Sequence, residues 1–377
     1  MEKLIKLVQK RRFNWLCIFI SVRKLKYSYI ISKFNMTSVG LIGFGYWGPN
    51  YKRVVTELGA DLKYIADKDK KVFDKIPSNE RSKISTTTEY SEVLKDPSVD
   101  AVVIATPTLA HYEIVRDAIN AGKHVLVEKP LTREVKESEE LVRLAKGSGL
   151  VAMVGHTFLF NDGIDYIKGM IERNELGQIY EIECSRKGLG PVRSDVGVLW
   201  DLATHDVSIV THLLPNTKVK SVNARGFVFD PKRRSLEDAV NFTLNLENGT
   251  HASVHVNWYY PIKERLVTVV GSGRMIRFDD VNQQAPLTVY EKSAGFEERH
   301  YPGFEAFKMI TKDGGTFMPP MRIKEPLKQE VAHFLDSIEK GKNPKSDLTV
   351  GLEIVRILEA AQRSISRRGQ EVNLLEV

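Results

Sequence analysis

The sequence predicts an α/β chain with two parts: an N-terminal doubly wound parallel sheet of the Rossmann type, then an α/β domain built on a large, mostly antiparallel open sheet. Three observations predict it. Up to about residue 156, apolar runs that are continuous rather than alternating, such as Ala101-Val102-Val103-Ile104-Ala105, take turns with helical patterns, as expected where helices cover both faces of a parallel sheet. A glycine turn, Gly43-Phe44-Gly45-Tyr46-Trp47-Gly48, separates the first apolar run from the first helix. Beyond residue 157 the segments become rich in Val, Tyr, Phe and Thr, separated by short turns such as Glu247-Asn248-Gly249 and Gly271-Ser272-Gly273. A chain of 377 residues with 42% hydrophobic content is long enough for two cores.

Residues 1–35 stand apart. They hold nine Lys or Arg against Glu2, so they account for the whole formal net charge of +7 and leave the remainder slightly negative. The body therefore carries no basic signal for nucleic acid. Phe13 to Val22 is too short to span a bilayer, which needs about 20 apolar residues, and no small-residue cleavage site follows it. Met36 is expected as the natural start, with residues 1–35 a disordered or mis-called extension. Cys17 and Cys184 imply no disulfide framework, which suits a reducing cytoplasm.

In the predicted Rossmann domain, 36–156, Val39 to Ile42 is a strand, and Pro49 falls in the first turn of a helix with Val54, Val55 and Leu58 on one side. A second strand, Leu62 to Ala66, ends at Asp67. The run at 101–105 is another, followed by a helix over 109–120 stopped by Gly122, a strand over 124–127, a helix opening near Thr132 and a strand over 150–154. In the second domain, 157–377, strands are expected at 178–187, 218–229, 239–247, 250–259, 265–270 and 287–292. An irregular loop is expected over 293–325, then helices over 327–340, stopped by Gly341, and 348–367.

The glycine turn follows a predicted strand and opens a predicted helix, the context in which the pattern has a mechanism. Gly43 permits the tight turn, Gly45 lets backbone approach a pyrophosphate, and Gly48 lets the helix pack close to the strand. Phe44, Tyr46 and Trp47 belong to the same site, Trp47 either covering the cofactor or packing the helix. Asp67, at the end of the second strand, would accept hydrogen bonds from an adenosine ribose diol and so favours NAD, while Lys68 beside it keeps NADP open. Thr106 and Pro107 follow the strand at 101–105 and would floor the cofactor site. His111, on the next helical turn, is either a cofactor contact or a packing histidine. Glu128-Lys129-Pro130 ends the next strand, so Lys129 enters the same crevice, where an ammonium can polarise a hydroxyl or carbonyl oxygen and share its proton. Asp201 and His205 are four apart and would share one helical face, with the imidazole suited to act as a base. His156 and Phe158 follow the last Rossmann strand and are expected to line the substrate pocket. Arg193 could fork onto a carboxylate or phosphate or stand in solvent, and Trp200 could wall the nicotinamide. His251 and His255 share a strand face with no third ligand nearby in sequence, so no metal site is expected.

Taken together, the turn Gly43 to Gly48, the Thr106-Pro107 and Glu128-Lys129-Pro130 strand ends and Asp201-x-x-x-His205 resemble the glucose-fructose oxidoreductase, inositol dehydrogenase and rhizopine-catabolism (Gfo/Idh/MocA) family over residues 38 to about 370. The resemblance implies NAD(P)-dependent oxidation or reduction of a sugar-like hydroxyl, a cis peptide before Pro130, and an open sheet used for homo-oligomer contacts, as dimer or tetramer. It implies that Lys129 and His205 handle the proton and that Asp201 orients the substrate or the histidine. The Gly190-Pro191-Val192-Arg193-Ser194-Asp195 stretch looks like the branch acting on nucleotide-linked sugars, with UDP-N-acetylglucosamine oxidised at C3 as the expected case. Two departures stand out: no arginine near Leu159, and Gly197-Val198 in place of a Gly-Gly pair. The alternatives are a dehydrogenase of free sugars or polyols such as inositol, and a non-catalytic dinucleotide sensor on the same fold.

Overall fold

A computed structural model describes residues 37–230, 232, 236–301, 304–322 and 324–377. The proposed extension at 1–35, with Cys17, lies outside the described residues.

The first sheet has six parallel strands in the order β3-β2-β1-β4-β5-β6. They are β1 (Ser38–Ile42), β2 (Asp61–Ala66), β3 (Ser85–Thr87), β4 (Ala101–Ile104), β5 (His124–Glu128) and β6 (Ala152–Gly155). All four residues of β4 are buried, which is why its sequence does not alternate. The covering helices are α1 (Gly48–Glu57), α2 (Tyr90–Lys95), α3 (His111–Asn120) and α4 (Val135–Ala145). Strand order reverses between β1 and β4, and the crevice at the carboxyl ends of such strands is where ligands of doubly wound sheets lie.

After α5 (Asp162–Glu172) comes a nine-stranded sheet in the order β14-β13-β12-β11-β7-β10-β9-β8-β15. Its strands are β7 (Ile179–Lys187), β8 (Val219–Phe227), β9 (Ala239–Leu246), β10 (His251–Asn257), β11 (Glu264–Gly271), β12 (Met275–Asp279), β13 (Leu287–Tyr301), β14 (Phe304–Phe317) and β15 (Val372–Asn373). The β7/β10 pair is parallel and the other pairs are antiparallel. Ala252, Val254 and Val256 of β10 turn inward, while Ser253, His255 and Asn257 face outward beside Glu183, Ser185 and Lys187 of β7. One face is thus a core and the other a broad polar surface.

One expectation needs correction. The expected loop over 293–325 is mostly the long β13/β14 hairpin, paired from Val289↔Phe317 to Tyr301↔Phe304. Its composition hides it, because Lys292, Glu297, Glu298, Lys308 and Lys312 break the apolar alternation, and backbone pairing needs no buried face. Pro302-Gly303 between the two strands in sequence was the available turn signal. Helix α7 (Pro326–Lys340) returns to the first sheet, where Leu327, Val331, Phe334 and Leu335 join the core of Val39, Tyr51, Val54 and Met153. Helix α8 (Leu348–Ser366), capped by the Asp347 carboxylate on Thr349 and Val350 N–H, bridges α4 and β8. Among the described residues no helix is long and apolar enough to cross a membrane.

Candidate active site

The crevice is built from strand ends. Gly43 has φ +96°, and a Cβ on it would stand 2.6 Å from the Ala105 carbonyl, so the turn after β1 lies directly against the end of β4. A Cβ on Gly48 would come 2.5 Å from Gly43 O, which is the close helix-to-strand approach expected of the third glycine. A Cβ on Gly45 would meet no atom of the other described residues within 4 Å beyond its chain neighbours, leaving open space at the helix N-terminus for a pyrophosphate. Gly45→Val is therefore expected to leave Tm within about 2 °C while weakening NAD binding by about 100-fold, since a side chain there meets no protein atom but fills the phosphate approach. Calorimetry of NAD binding checks it; unchanged affinity would move the phosphate elsewhere.

Phe44 is buried in the core, and its N–H donates to Asp67 Oδ2 at 2.6 Å; Asp67 Oδ1 accepts from Asp69 N–H at 2.9 Å. Asp67 therefore ties the glycine turn to the end of β2 and keeps spare lone pairs for a ribose diol. Lys68 beside it is exposed. Tyr46 and Trp47 project from the turn, 83% and 40% exposed, with their rings edge to face at 5.9 Å. Among the described residues Thr106 Oγ1 is enclosed without a hydrogen-bond partner, and Pro107 beside it is exposed.

His111 is not in contact with this open space. It is fully buried, with Nδ1 2.8 Å from Pro130 O and Nε2 2.9 Å from Thr106 O, so both nitrogens are committed to backbone. It ties the strand ends that carry Thr106 and Pro130, the packing alternative that the sequence left open for it. The reason is geometric: the first turn of α3 points its N-terminal side chains back under the strand ends.

The Lys129–Pro130 peptide is cis. The Lys129 ammonium donates to the Asp201 carbonyl at 2.6 Å and lies 3.6 Å from Asp201 Oδ1. Asp201 thus holds the lysine ammonium. It does so because Leu199–Ala203 is a π-turn entering helix α6 (Thr204–Leu213), so Asp201 and His205 are not the stacked pair of a regular helix. Arg193 Nη1 reaches Asp201 Oδ1 at 3.3 Å, and its Nε and Nη2 fork onto Asp195 at 3.0 and 2.7 Å. Lys129, Pro130, Arg193, Trp200 and Asp201 line one cavity together with Arg133, which sequence reasoning did not single out. Trp200 is only 5% exposed, and its indole N–H donates to Gln362 Oε1 at 3.0 Å, so it forms the back wall and not a free cover.

His156 and His205 sit beside the lysine. Both nitrogens of His156 and Nδ1 of His205 are enclosed without hydrogen-bond partners among the described residues. Burial, and next the Lys129 charge, push His156 down to about 3, and the same two causes hold His205 well below the usual histidine range. The Lys129 charge thus acts on both imidazoles. Phe158 packs edge to face on His205 at 5.1 Å, and the Arg186 guanidinium covers its ring at 4.2 Å. Arg186 is itself buried and doubly bonded to Asp206 at 2.9 to 3.1 Å. This pair was also missed, although Arg186 shares the inward face of β7 with Ile182 and Cys184, and an arginine in that row is a legible signal. Burial first, then the Lys129 charge and the Arg186 cation behind Phe158, disfavour the protonated form of His205. His251 and His255 lie on the polar sheet face, and among the described residues no group of three or more His, Cys, Asp or Glu is arranged to hold a metal.

The open space at Gly45, the unpartnered Thr106 hydroxyl and the spare lone pairs of Asp67 fit a bound dinucleotide, which when bound supplies the hydride acceptor. Residues 37–156 match the family model described as the oxidoreductase family with NAD-binding Rossmann fold, and residues 164–277 match the GFO/IDH/MocA C-terminal domain. The chain is 26% identical over 330 residues to the scyllo-inositol 2-dehydrogenase (NAD(+)) of Bacillus subtilis, covering 84% of this chain and 90% of that one. It is 27% identical over 241 residues to the UDP-N-acetylglucosamine 3-dehydrogenase of Acidithiobacillus ferrooxidans, covering 64% and 70%. In structure it resembles levoglucosan dehydrogenase in complex with NADH and levoglucosan, with TM-score 0.75 and 21% identity over 90% of this chain and 99% of the other. From the glycine turn to the two matched domains, the observations agree: the chain belongs to the Gfo/Idh/MocA family of oxidoreductases, with an NAD-binding Rossmann fold.

Proposed function

We propose that this oxidoreductase uses NAD to oxidise a hydroxyl of a nucleotide-activated sugar, with UDP-N-acetylglucosamine at C3 as the leading case, and that Lys129 and His205 manage the hydroxyl proton. The observation that carries the substrate class is the pair of guanidiniums, Arg133 and Arg193, lining the same cavity as Lys129. Two fixed cations next to the lysine suit a diphosphate, whose charge a neutral polyol lacks. Lys129 would hold the sugar oxygen, His205 would take its proton directly or through the lysine, and Asp201 would keep the ammonium in place. The relative that acts on UDP-N-acetylglucosamine supports this reading.

A second reading has its own observation. Arg193 is already paired with Asp195 and Asp201, and a site whose arginine is so neutralised suits an inositol or free sugar, as in the Bacillus subtilis relative. Reduced nicotinamide absorbance followed with UDP-sugars, dTDP-sugars, free sugars and inositols, each with NAD and with NADP, separates the two. With a UDP-sugar as substrate, Arg133→Ala is expected to raise its KM by about 30-fold, the roughly 2 kcal/mol of a charged hydrogen bond, with KM for NAD unmoved. Turnover of free inositol at a KM that Arg133→Ala does not alter would decide for the polyol.

The same reading makes the polar face of the nine-stranded sheet a homo-oligomer contact, as dimer or tetramer, and places the enzyme in the cytoplasm. Sedimentation of the purified chain checks the first of these.

A further inference from the structure

Behind the lysine, on the side away from the cavity, three buried side chains from distant parts of the chain meet. Tyr51 of α1 places its hydroxyl 2.9 Å from Glu128 Oε1, at the end of β5, and 3.3 Å from Glu330 Oε1, on α7. The other oxygen of Glu128 accepts the Lys129 N–H at 3.0 Å. Gly155, level with Glu128 on β6, leaves room for the group, since a Cβ there would stand 3.1 Å from the Tyr51 oxygen and 3.4 Å from Glu330 Oε1.

Donor counting decides what this group is. A phenol has one O–H to give, and an ionised carboxylate only accepts. Tyr51 therefore cannot satisfy two ionised carboxylates at once, and one contact requires a carboxyl that donates to the phenol oxygen. Burial raises Glu128 too, but it takes two donors, Tyr51 O–H and Lys129 N–H, and faces the Lys129 charge, so of the two carboxyls it is the one suited to be ionised. Asp201 also faces Glu128, with the opposite sign. Glu330 faces Tyr51, Glu128 and the Thr157 side chain, with no cation among them. Burial, and then the Glu128 charge, push it well above the usual carboxylate range.

We propose that Glu330 is a neutral acid that donates to Tyr51, that Tyr51 donates to Glu128, and that this chain of hydrogen bonds seats the Lys129 peptide, making Glu330 and Tyr51 positioning residues for the lysine. The last clause rests on Lys129 being catalytic; the protonation does not. It gives α7, which returns from the far end of the chain, a part in the site that its sequence position hides.

Two measurements test it, and neither needs the substrate. Infrared spectra of the parent at neutral pH are expected to show a protonated carboxyl band that is lost in Glu330→Gln and kept in Glu128→Gln. A parent with no such band, or a band lost only in Glu128→Gln, overturns the protonation. Competitive labelling of Lys129 with acetic anhydride, read by mass spectrometry across pH, tests the positioning. Tyr51→Phe and Glu330→Ala are expected to change the labelling rate about fivefold or more, and Glu330→Gln, the isostere of the neutral acid, is expected to restore it. Labelling at the parental rate in folded Tyr51→Phe, or no rescue by Glu330→Gln, overturns the positioning role, while NAD affinity by calorimetry reports on the cofactor site separately.

Discussion

Lys129→Ala is expected to lower kcat by about 10³-fold with Kd for NAD within about threefold of the parent, the range for loss of a group that handles a proton at the reacting oxygen. The expectation follows from where the ammonium is held. It is anchored by the Asp201 carbonyl at 2.6 Å, it is a wall of the cavity, and its charge reaches both His156 and His205. The glycine turn and Asp67 are elsewhere in the crevice, so cofactor affinity has no reason to follow. Single-turnover measurement with the substrate identified by the sugar panel separates chemistry from binding. A variant that keeps kcat would remove Lys129 from the chemistry, and one that loses NAD as well would make it a cofactor contact instead.

Acid sensitivity is the second large effect. His111, His156 and His205 are all held below the ordinary histidine value, first of all by burial. A group whose folded value is depressed contributes stability that is present above its unfolded value and lost as pH falls towards the folded one. For His156 that window runs from 6.5 down to about 3. Inside it the unfolded chain binds one more proton than the folded chain, so stability falls by about 1.4 kcal/mol per pH unit for this residue alone. Urea unfolding is expected to show the parent losing roughly 2 kcal/mol more than His156→Phe between pH 6.5 and about pH 5. Glu128 and Glu330 work in the opposite direction: both are raised, so the stability tied to their protonation is present below the ordinary carboxylate value and lost as pH rises through the folded one. Stability should therefore peak between the two limbs. Equal pH slopes for the parent and His156→Phe would show that this imidazole is hydrated in solution.

Much of the first domain was legible because its signals are local. The turn Gly43 to Gly48 combines an apolar run, three glycines and a helix start within a dozen residues, and the continuous run at 101–104 declares a strand covered on both sides. The long hairpin was not legible, because its strands pair through backbone while their side chains carry no alternation. His111 could be read as a ligand from its place after Thr106-Pro107, yet its nitrogens are spent on two carbonyls that only the folded strand ends bring together.

By itself, then, the sequence determined the parallel sheet and the glycine turn that opens its first helix, since short-range spacing and residue chemistry specify each of these. Tertiary structure alone decided what the candidate site residues touch. Asp201 faces Lys129 because a π-turn rotates it there, Arg186 of β7 pairs with Asp206 of α6, and Glu330 meets Tyr51 and Glu128 from 279 and 202 residues away along the chain. Contacts at such separations are fixed by how the sheets and returning helices pack, and no local pattern in the chain encodes them.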